Sequence, residues 1–344
     1  MYLDYYGLNR EPFHITPDPY FFYLSPSHKE SYASLIYGLK KRKGFISLTG
    51  EVGLGKTTVI RTFLNKWSSK SKIKTVFVFN SNVSFKGLLL TIYSELGLHL
   101  PKNIDPEKNS SGSLSLQDEI FELVHHLHAV LVREYQEGYN VILVIDDAQN
   151  MPLSTLENLR MLSNLETNRD KLLQIFLIGQ SELESILNKK ELRQLKQRIA
   201  IRGTLHPLPG QHTREYIWHR LQKAGAGGGY KQIFTRGALN KIHKYSGGIP
   251  RMINIICDNA LINGFGYGSK TINSAIIKEA WSDLEEGGGR KRYRMALASG
   301  ALLAFVATGL WFSPYQDNVV AGIREATFWS MSSSPSHEAQ ETGP

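Results

Sequence analysis

Cysteine is nearly absent: Cys257 is the only one among 344 residues. One thiol cannot close an intrachain disulfide, so a disulfide-stapled secreted domain is excluded and a reducing compartment fits. The compositional marks of disorder are also lacking. Hydrophobic residues make up 42% and charged residues 21%, enough apolar material for two or three domains with real cores. No basic segment followed by an apolar run opens the chain, so no signal peptide is expected at its start. Acids are scarce in particular places. From residue 38 to 74 ten Lys or Arg meet one acid, Glu51. Between residues 189 and 202 six meet one, and between 290 and 294 four meet none. The net charge of +9 therefore sits in blocks, which points to anionic partners: a nucleotide, nucleic acid or lipid headgroups.

What is present is an alternation of strands and helices. Residues 5–22 are rich in Pro and aromatics and read as an ordered, non-helical leader. A helix is expected over 31–39, ending at the basic run Lys40 to Lys43. Apolar runs at 45–49, 75–79, 141–145 and 172–178 read as strands. Segments 57–67, 85–98, 115–135 and 153–164 have helical spacing, and 198–205 is a candidate fifth strand. Continuous apolar strands separated by helices predict an α/β fold with a parallel sheet. From residue 211 the pattern becomes helical. The expected organisation is a leader (1–43), an α/β core (44–208), a helical lid (209–285), a basic linker (286–294), an apolar helix (295–312) and a short polar tail (313–344).

Residues Gly50-Glu51-Val52-Gly53-Leu54-Gly55-Lys56-Thr57 match G-x-x-x-x-G-K-[ST] between a strand and a helix, the context a phosphate-binding loop requires. Glycines let successive backbone N–H groups converge on phosphate, and the helix N-terminus adds partial positive charge. Lys56 is expected at the β- and γ-phosphates, Thr57 on Mg²⁺, and Thr58 beside them in the nucleotide site. The strand 141–145 ends in Asp146-Asp147. Asp146 is the candidate Mg²⁺ ligand and Asp147 the candidate that polarises the attacking water. Asp147 departs from the Glu common in such ATPases and is one methylene shorter. His125, His126 and His128 share a helix without a further ligand and are not read as a metal site.

Taken together, the chain resembles the AAA+ ATPases of the general secretion pathway A type, the ExeA-like family. The likeness runs over roughly residues 1–285. It rests on Tyr6-Gly7-Leu8, Pro12-Phe13, Ser27-His28, the phosphate loop, Asp147-Ala148-Gln149, Leu162 to Thr167, Ile178-Gly179-Gln180, Gln197-Arg198-Ile199, and Gly248 to Asn254 with Cys257-Asp258. The resemblance implies ATP and Mg²⁺ as cofactors and an additional-strand AAA+ core followed by a lid. It makes Gln180 a sensor of the γ-phosphate, with helix capping as the alternative. Arg251, in Gly248-Ile249-Pro250-Arg251, would reach the nucleotide from the lid. Arg198, or else Arg193, would be an arginine finger toward a neighbouring subunit, so a homo-oligomer is implied. Family relatives serve secretin assembly, pilus biogenesis and exopolysaccharide export.

Residues 295–312 carry no charge over 18 positions and would span about 27 Å as a helix, near the hydrocarbon thickness. Basic residues precede them and aromatics flank both edges, so a single membrane span is expected, with the ATPase on the cytoplasmic side of a bacterial inner membrane. The tail 313–344 is too short for a cell-wall-binding domain. The leading expectation is a membrane-anchored ATPase serving envelope assembly proteins. The alternatives are a DNA-binding AAA+ protein using Lys40–Lys43 and the basic residues of 66–74, and a non-hydrolysing nucleotide-dependent scaffold motivated by Asp147.

Overall fold

A computed structural model describes residues 1–68, 72–101, 104, 115–225 and 227–285. The basic linker, the apolar stretch 295–312 and the tail lie outside the described residues. Among the described residues no helix is long and apolar enough to cross a membrane.

The leader departs from its expected non-helical form. It opens with α1 (Tyr2–Tyr6), a single turn closed by Gly7 in the left-handed conformation at φ 67°, where a side chain would be strained. So short a helix is held by tertiary contact rather than propensity. The Tyr2 hydroxyl donates to Asp258 Oδ1 at 2.9 Å and that of Tyr6 to the Ser269 carbonyl at 2.9 Å. Helix α2 (Pro26–Lys40) starts five residues earlier than expected. Ser25 supplies the N-cap, its hydroxyl accepting from the His28 N–H, and Pro26 occupies the first turn, where its missing donor costs nothing.

The core then alternates β1 (Phe45–Thr49), α3 (Lys56–Ser68), β2 (Ile73–Val78), α4 (Phe85–Glu95), α5 (Leu116–Gln136), β3 (Asn140–Ile145), α6 (Leu153–Leu162), β4 (Leu173–Gly179), α7 (Ser181–Leu187), α8 (Arg193–Arg198) and β5 (Ile199–Thr204). All five strands are parallel, in the order β2-β3-β4-β1-β5. Every residue of β1, β3 and β4 is buried, as helices on both faces require. Alternate strand positions serve the two sides. Leu143, Ile145, Ile175 and Leu177 join the core under α4, α5 and α6. Ile142, Val144, Phe176 and Ile178 pack with Ile46 and Leu48 under α2 and α3.

The strand order places β4 between β1 and β3. Strand β2, which intervenes in sequence between the two motifs, lies instead at the sheet edge. The end of β4, and Gln180 with it, therefore falls between the phosphate loop and the Asp146-Asp147 pair. Parallel strands begin at one edge of the sheet and end at the other. The basic run 40–43 precedes β1 and Lys72 precedes β2, so both lie at the starting edge, about 16 Å (five residues of strand) from the phosphate loop. Aromatic rings hold these cations: Lys40 over Trp67, Arg42 over Tyr135, Lys72 and Lys74 over Tyr139. Apart from Lys56 and residues of α3, the first charge block does not flank the phosphate site.

The lid consists of α9 (Gly210–Lys223), α10 (Arg236–Ser246), α11 (Pro250–Gly266) and α12 (Ser274–Glu285). Pro250 stands in the first turn of α11, as the sequence suggests. The leader is laced to this lid through Arg220 of α9, only 7% exposed. Its guanidinium donates to the carbonyls of Pro12 and His14 and to the Tyr216 hydroxyl, and lies over the Phe21 ring at 4.8 Å. Phe13, fully buried, meets Phe234 edge to face.

Candidate functional site

The phosphate-binding loop leaves β1 at Gly50 and enters α3 at Lys56. Gly53 (φ 84°) and Gly55 (φ 89°) take backbone conformations that only glycine adopts freely. Gly53 is further required by close approach. A Cβ there would lie 2.8 Å from Arg251 Cβ and 3.0 Å from Ile249 Cγ2. Arg251 also donates its backbone N–H to the Gly53 carbonyl at 3.2 Å. The lid helix thus rests on the loop.

Lys56 is 8% exposed. Its ammonium folds back over the loop, donating to the carbonyls of Gly50 (2.8 Å) and Glu51 (2.9 Å). Burial pulls its pKa down, while Asp146, Asp147 and Glu182 oppose that shift. The Thr57 hydroxyl donates to Asp146 Oδ2 at 2.8 Å, which joins the two motifs across the intervening strand. A hydroxyl and a carboxylate in contact form the hard oxygen pair that suits Mg²⁺, so these residues fit that ion.

Asp147 sits just past β3 with φ 49° and ψ 43°, left-handed for a non-glycine residue. Ser81 Oγ donates to its carbonyl at 2.8 Å, and its N–H donates to Asp146 Oδ1 at 3.0 Å. Gln180 occupies the N-cap position of α7, yet its side chain makes no capping bond. It lines the same cleft as Asp146 and Asp147. The cleft has a volume of ≈ 480 Å³ and brings together Lys56, Thr57, Thr58, both aspartates, Gln180 and Arg251 with leader residues 14–18 and 21–23. Glu51 and Val52 are exposed at the loop tip, and Leu54 is buried beneath it.

Arg198 lies elsewhere. It ends α8, and its guanidinium donates to the Arg160 carbonyl, Ser163 Oγ and Asn164 Oδ1, closing the C-terminus of α6. Arg193 is exposed at the start of the same helix. Of the discounted histidines, His126 Nδ1 meets the Tyr93 hydroxyl at 3.0 Å and His125 stacks on Phe121. Cys257 is fully buried in α11.

Sequence reading assigned no role to four contributors. His28 is 5% exposed. Its Nε2 bonds the Leu54 carbonyl of the loop at 2.9 Å, and its Nδ1 the Ser25 hydroxyl at 2.6 Å. Burial lowers its pKa, and the bond to Leu54 partly opposes that shift. Arg220 and Asn254 reach the cleft from the lid. Gln149 stands behind Asp147. His28 and Gln149 lie within motifs of the family resemblance, but no spacing rule foretold their contacts.

Comparison with known proteins agrees with this geometry. A family model described as an AAA domain matches residues 39–187. General secretion pathway protein A of Aeromonas hydrophila is 41% identical over 315 residues, covering 90% of this chain and 54% of that protein. The chain thus spans about half the length of this curated relative. Among solved structures, the ORC2 protein of Aeropyrum pernix, in its ADPNP-ADP complexes, superposes with a TM-score of 0.56 at 15% identity, covering 80% of this chain and 72% of that one. Cdc6p of Pyrobaculum aerophilum gives 0.54 at 18% identity, covering 74% and 67%. These two likenesses concern the fold alone. The Walker-type loop, the interposed strand, the lid and the matched AAA domain converge on an AAA+ P-loop ATPase, one similar over 90% of its length to general secretion pathway protein A.

Proposed function

We propose that this chain is a membrane-anchored ATPase that binds ATP with Mg²⁺, hydrolyses it, and uses the cycle to drive or switch assembly of an envelope secretion, pilus or exopolysaccharide-export system. One observation carries the catalytic part: Lys56, Thr57, Asp146, Asp147, Gln180 and Arg251 border one cleft although they come from four separate stretches of chain. Lys56 exchanges its loop carbonyls for phosphate oxygens when nucleotide enters. Thr57 and Asp146 hold the ion, which neutralises charge on the β- and γ-phosphates when bound. Asp147 accepts a proton from the water that attacks the γ-phosphate, and Gln180 steadies that water or the phosphate. Because α11 rests on the loop through Arg251 and Gly53, filling the loop is felt by the lid.

The anchoring part is supported by the uncharged stretch 295–312 behind its basic linker, since basic residues flanking a span favour the cytoplasmic side of a bacterial inner membrane. The length and identity of the match to general secretion pathway protein A support the envelope role. Copies of the chain associate, and an exposed arginine of the α8 region meets the neighbour's nucleotide.

Phosphate release by the purified full chain tests the chemistry, with Lys56→Ala and Asp147→Asn as comparisons. Turnover no higher than that of Lys56→Ala would sink the ATPase reading. Fractionation of cells tests the anchor. The full chain is expected with membranes and a variant lacking residues 295–312 in the soluble fraction; soluble full chain would remove the anchor.

A further inference from the structure

We propose that Gln149 is the positioning residue that aims the Asp147 carboxylate into the cleft and ties it to the end of β4. This inference rests on the hydrolytic reading above. Asp147 has the shorter acid side chain, on a left-handed backbone, and its main chain is held on both sides by Ser81 and Asp146. Its carboxylate makes a single hydrogen bond among the described residues, accepted at Oδ1 from Gln149 Nε2 at 3.1 Å. The other end of the same amide is also engaged: Gln149 Oε1 accepts the backbone N–H of Gln180 at 3.0 Å. These two partners fix the amide's orientation, since only the NH₂ can face a carboxylate and only the oxygen an N–H.

Gln149 therefore spans the ends of two neighbouring strands and connects the two polar groups that face the cleft between them. The space is reserved for it. A Cβ on Gly179 would come within 2.8 Å of Gln149 Oε1. Gln149 does not itself line the cleft, whereas Asp147 and Gln180 do. It acts through them. Without it a carboxylate beside Asp146 would turn to solvent, where charge repulsion is screened. Placement of the proton acceptor matters steeply, because a misplacement of about 1 Å can cost ~100-fold in rate.

Two variants of the full chain separate the two bonds. Gln149→Leu removes both. Gln149→Glu retains an acceptor for the Gln180 N–H but loses the donor to Asp147. Both are expected to lower kcat by ~10- to 100-fold, with KM for ATP and the affinity for a fluorescent ADP within about twofold. Hydrogen exchange at the Gln180 amide, read without nucleotide, should rise in Gln149→Leu and stay protected in Gln149→Glu. Unchanged kcat in both variants overturns the inference alone. So does a parallel fall in kcat and ADP affinity, which marks a general structural role. Wild-type turnover no higher than that of Lys56→Ala overturns the hydrolytic reading and this inference with it.

Discussion

The backbone N–H of Arg251 donates to the carbonyl of Gly53 at 3.2 Å, so the first turn of α11 sits on the phosphate-binding loop itself. The contact is made by main chain, and it survives loss of the arginine side chain. Arg251 has no side-chain hydrogen bond or ion pair among the described residues and borders the cleft.

Gly53 and Arg251 can therefore be separated by mutation. Gly53→Ala places a methyl group against Arg251 and Ile249 and forces a side chain into a φ of 84°, at a cost of about 1–2 kcal/mol. It should weaken binding of ATP and ADP alike. Arg251→Ala should leave the melting temperature without nucleotide nearly unchanged and reduce the preference for ATP over ADP. Titration with fluorescent nucleotides checks both. Equal loss of ATP and ADP affinity in Arg251→Ala would show that the guanidinium does not reach the γ-phosphate.

His28 makes stability depend on pH in a defined direction. Burial holds its imidazole below the ordinary value of 6.5, so below that pH the unfolded chain takes up a proton that the folded chain excludes. Its contribution is complete above pH 6.5 and is lost as pH falls through the lower folded-state value. His219 is shifted the same way, by burial first and then by Lys223 and Arg220. Urea unfolding should give a nearly constant free energy between about pH 7 and 8 and a decline below pH 6.5. His28→Gln should make that decline shallower. An unaltered decline would remove His28 as a source.

Arg220 is the tie between leader and lid. Arg220→Met keeps much of the volume over Phe21 but leaves the Pro12 and His14 carbonyls and the Tyr216 hydroxyl without their donor. The expected loss is about 1.5–3 kcal/mol, as for bonds from a charged donor. Limited proteolysis should then cut within residues 8–25 faster than in the wild type. Equal cleavage rates would mean that the leader is held chiefly by its aromatic contacts.

Arg198 and Arg193 divide the remaining arginine question. Arg198 closes the end of α6, so Arg198→Ala should lower the melting temperature by a few degrees, equivalent to about 1 kcal/mol. Arg193 is the more available for a neighbour, and Arg193→Ala should lower kcat without changing the melting temperature. The converse result, with turnover lost only in Arg198→Ala at unchanged stability, would return the finger to Arg198.

Much of the fold was legible because its signals are local. The runs at 45–49 and 141–145 are apolar throughout, and only a strand covered on both faces asks for that. The loop at 50–57 carries its own chemistry in consecutive residues. Errors arose where a neighbour distant in sequence decides. Helix α1 exists because Tyr2 and Tyr6 find Asp258 and Ser269. Ser25 and Pro26 are the start signal of α2 and stood in the sequence, but the aromatic run ahead of them drew the boundary later.

The sequence by itself determined the chemistry of the phosphate loop, the pair of aspartates after an apolar strand, and the turn that opens α11, because each is written in contiguous residues. Tertiary structure alone decided which strand lies between the two motifs. Sheet order depends on crossover connections, which carry no residue code of their own. Tertiary structure also moved the basic runs to the far edge of the sheet, since parallel strands separate their beginnings from their ends. And it gave Gln149, His28 and Arg220 their partners. A polar side chain acquires its role from whichever buried groups the fold brings within about 3 Å of it, and chain order does not record that distance.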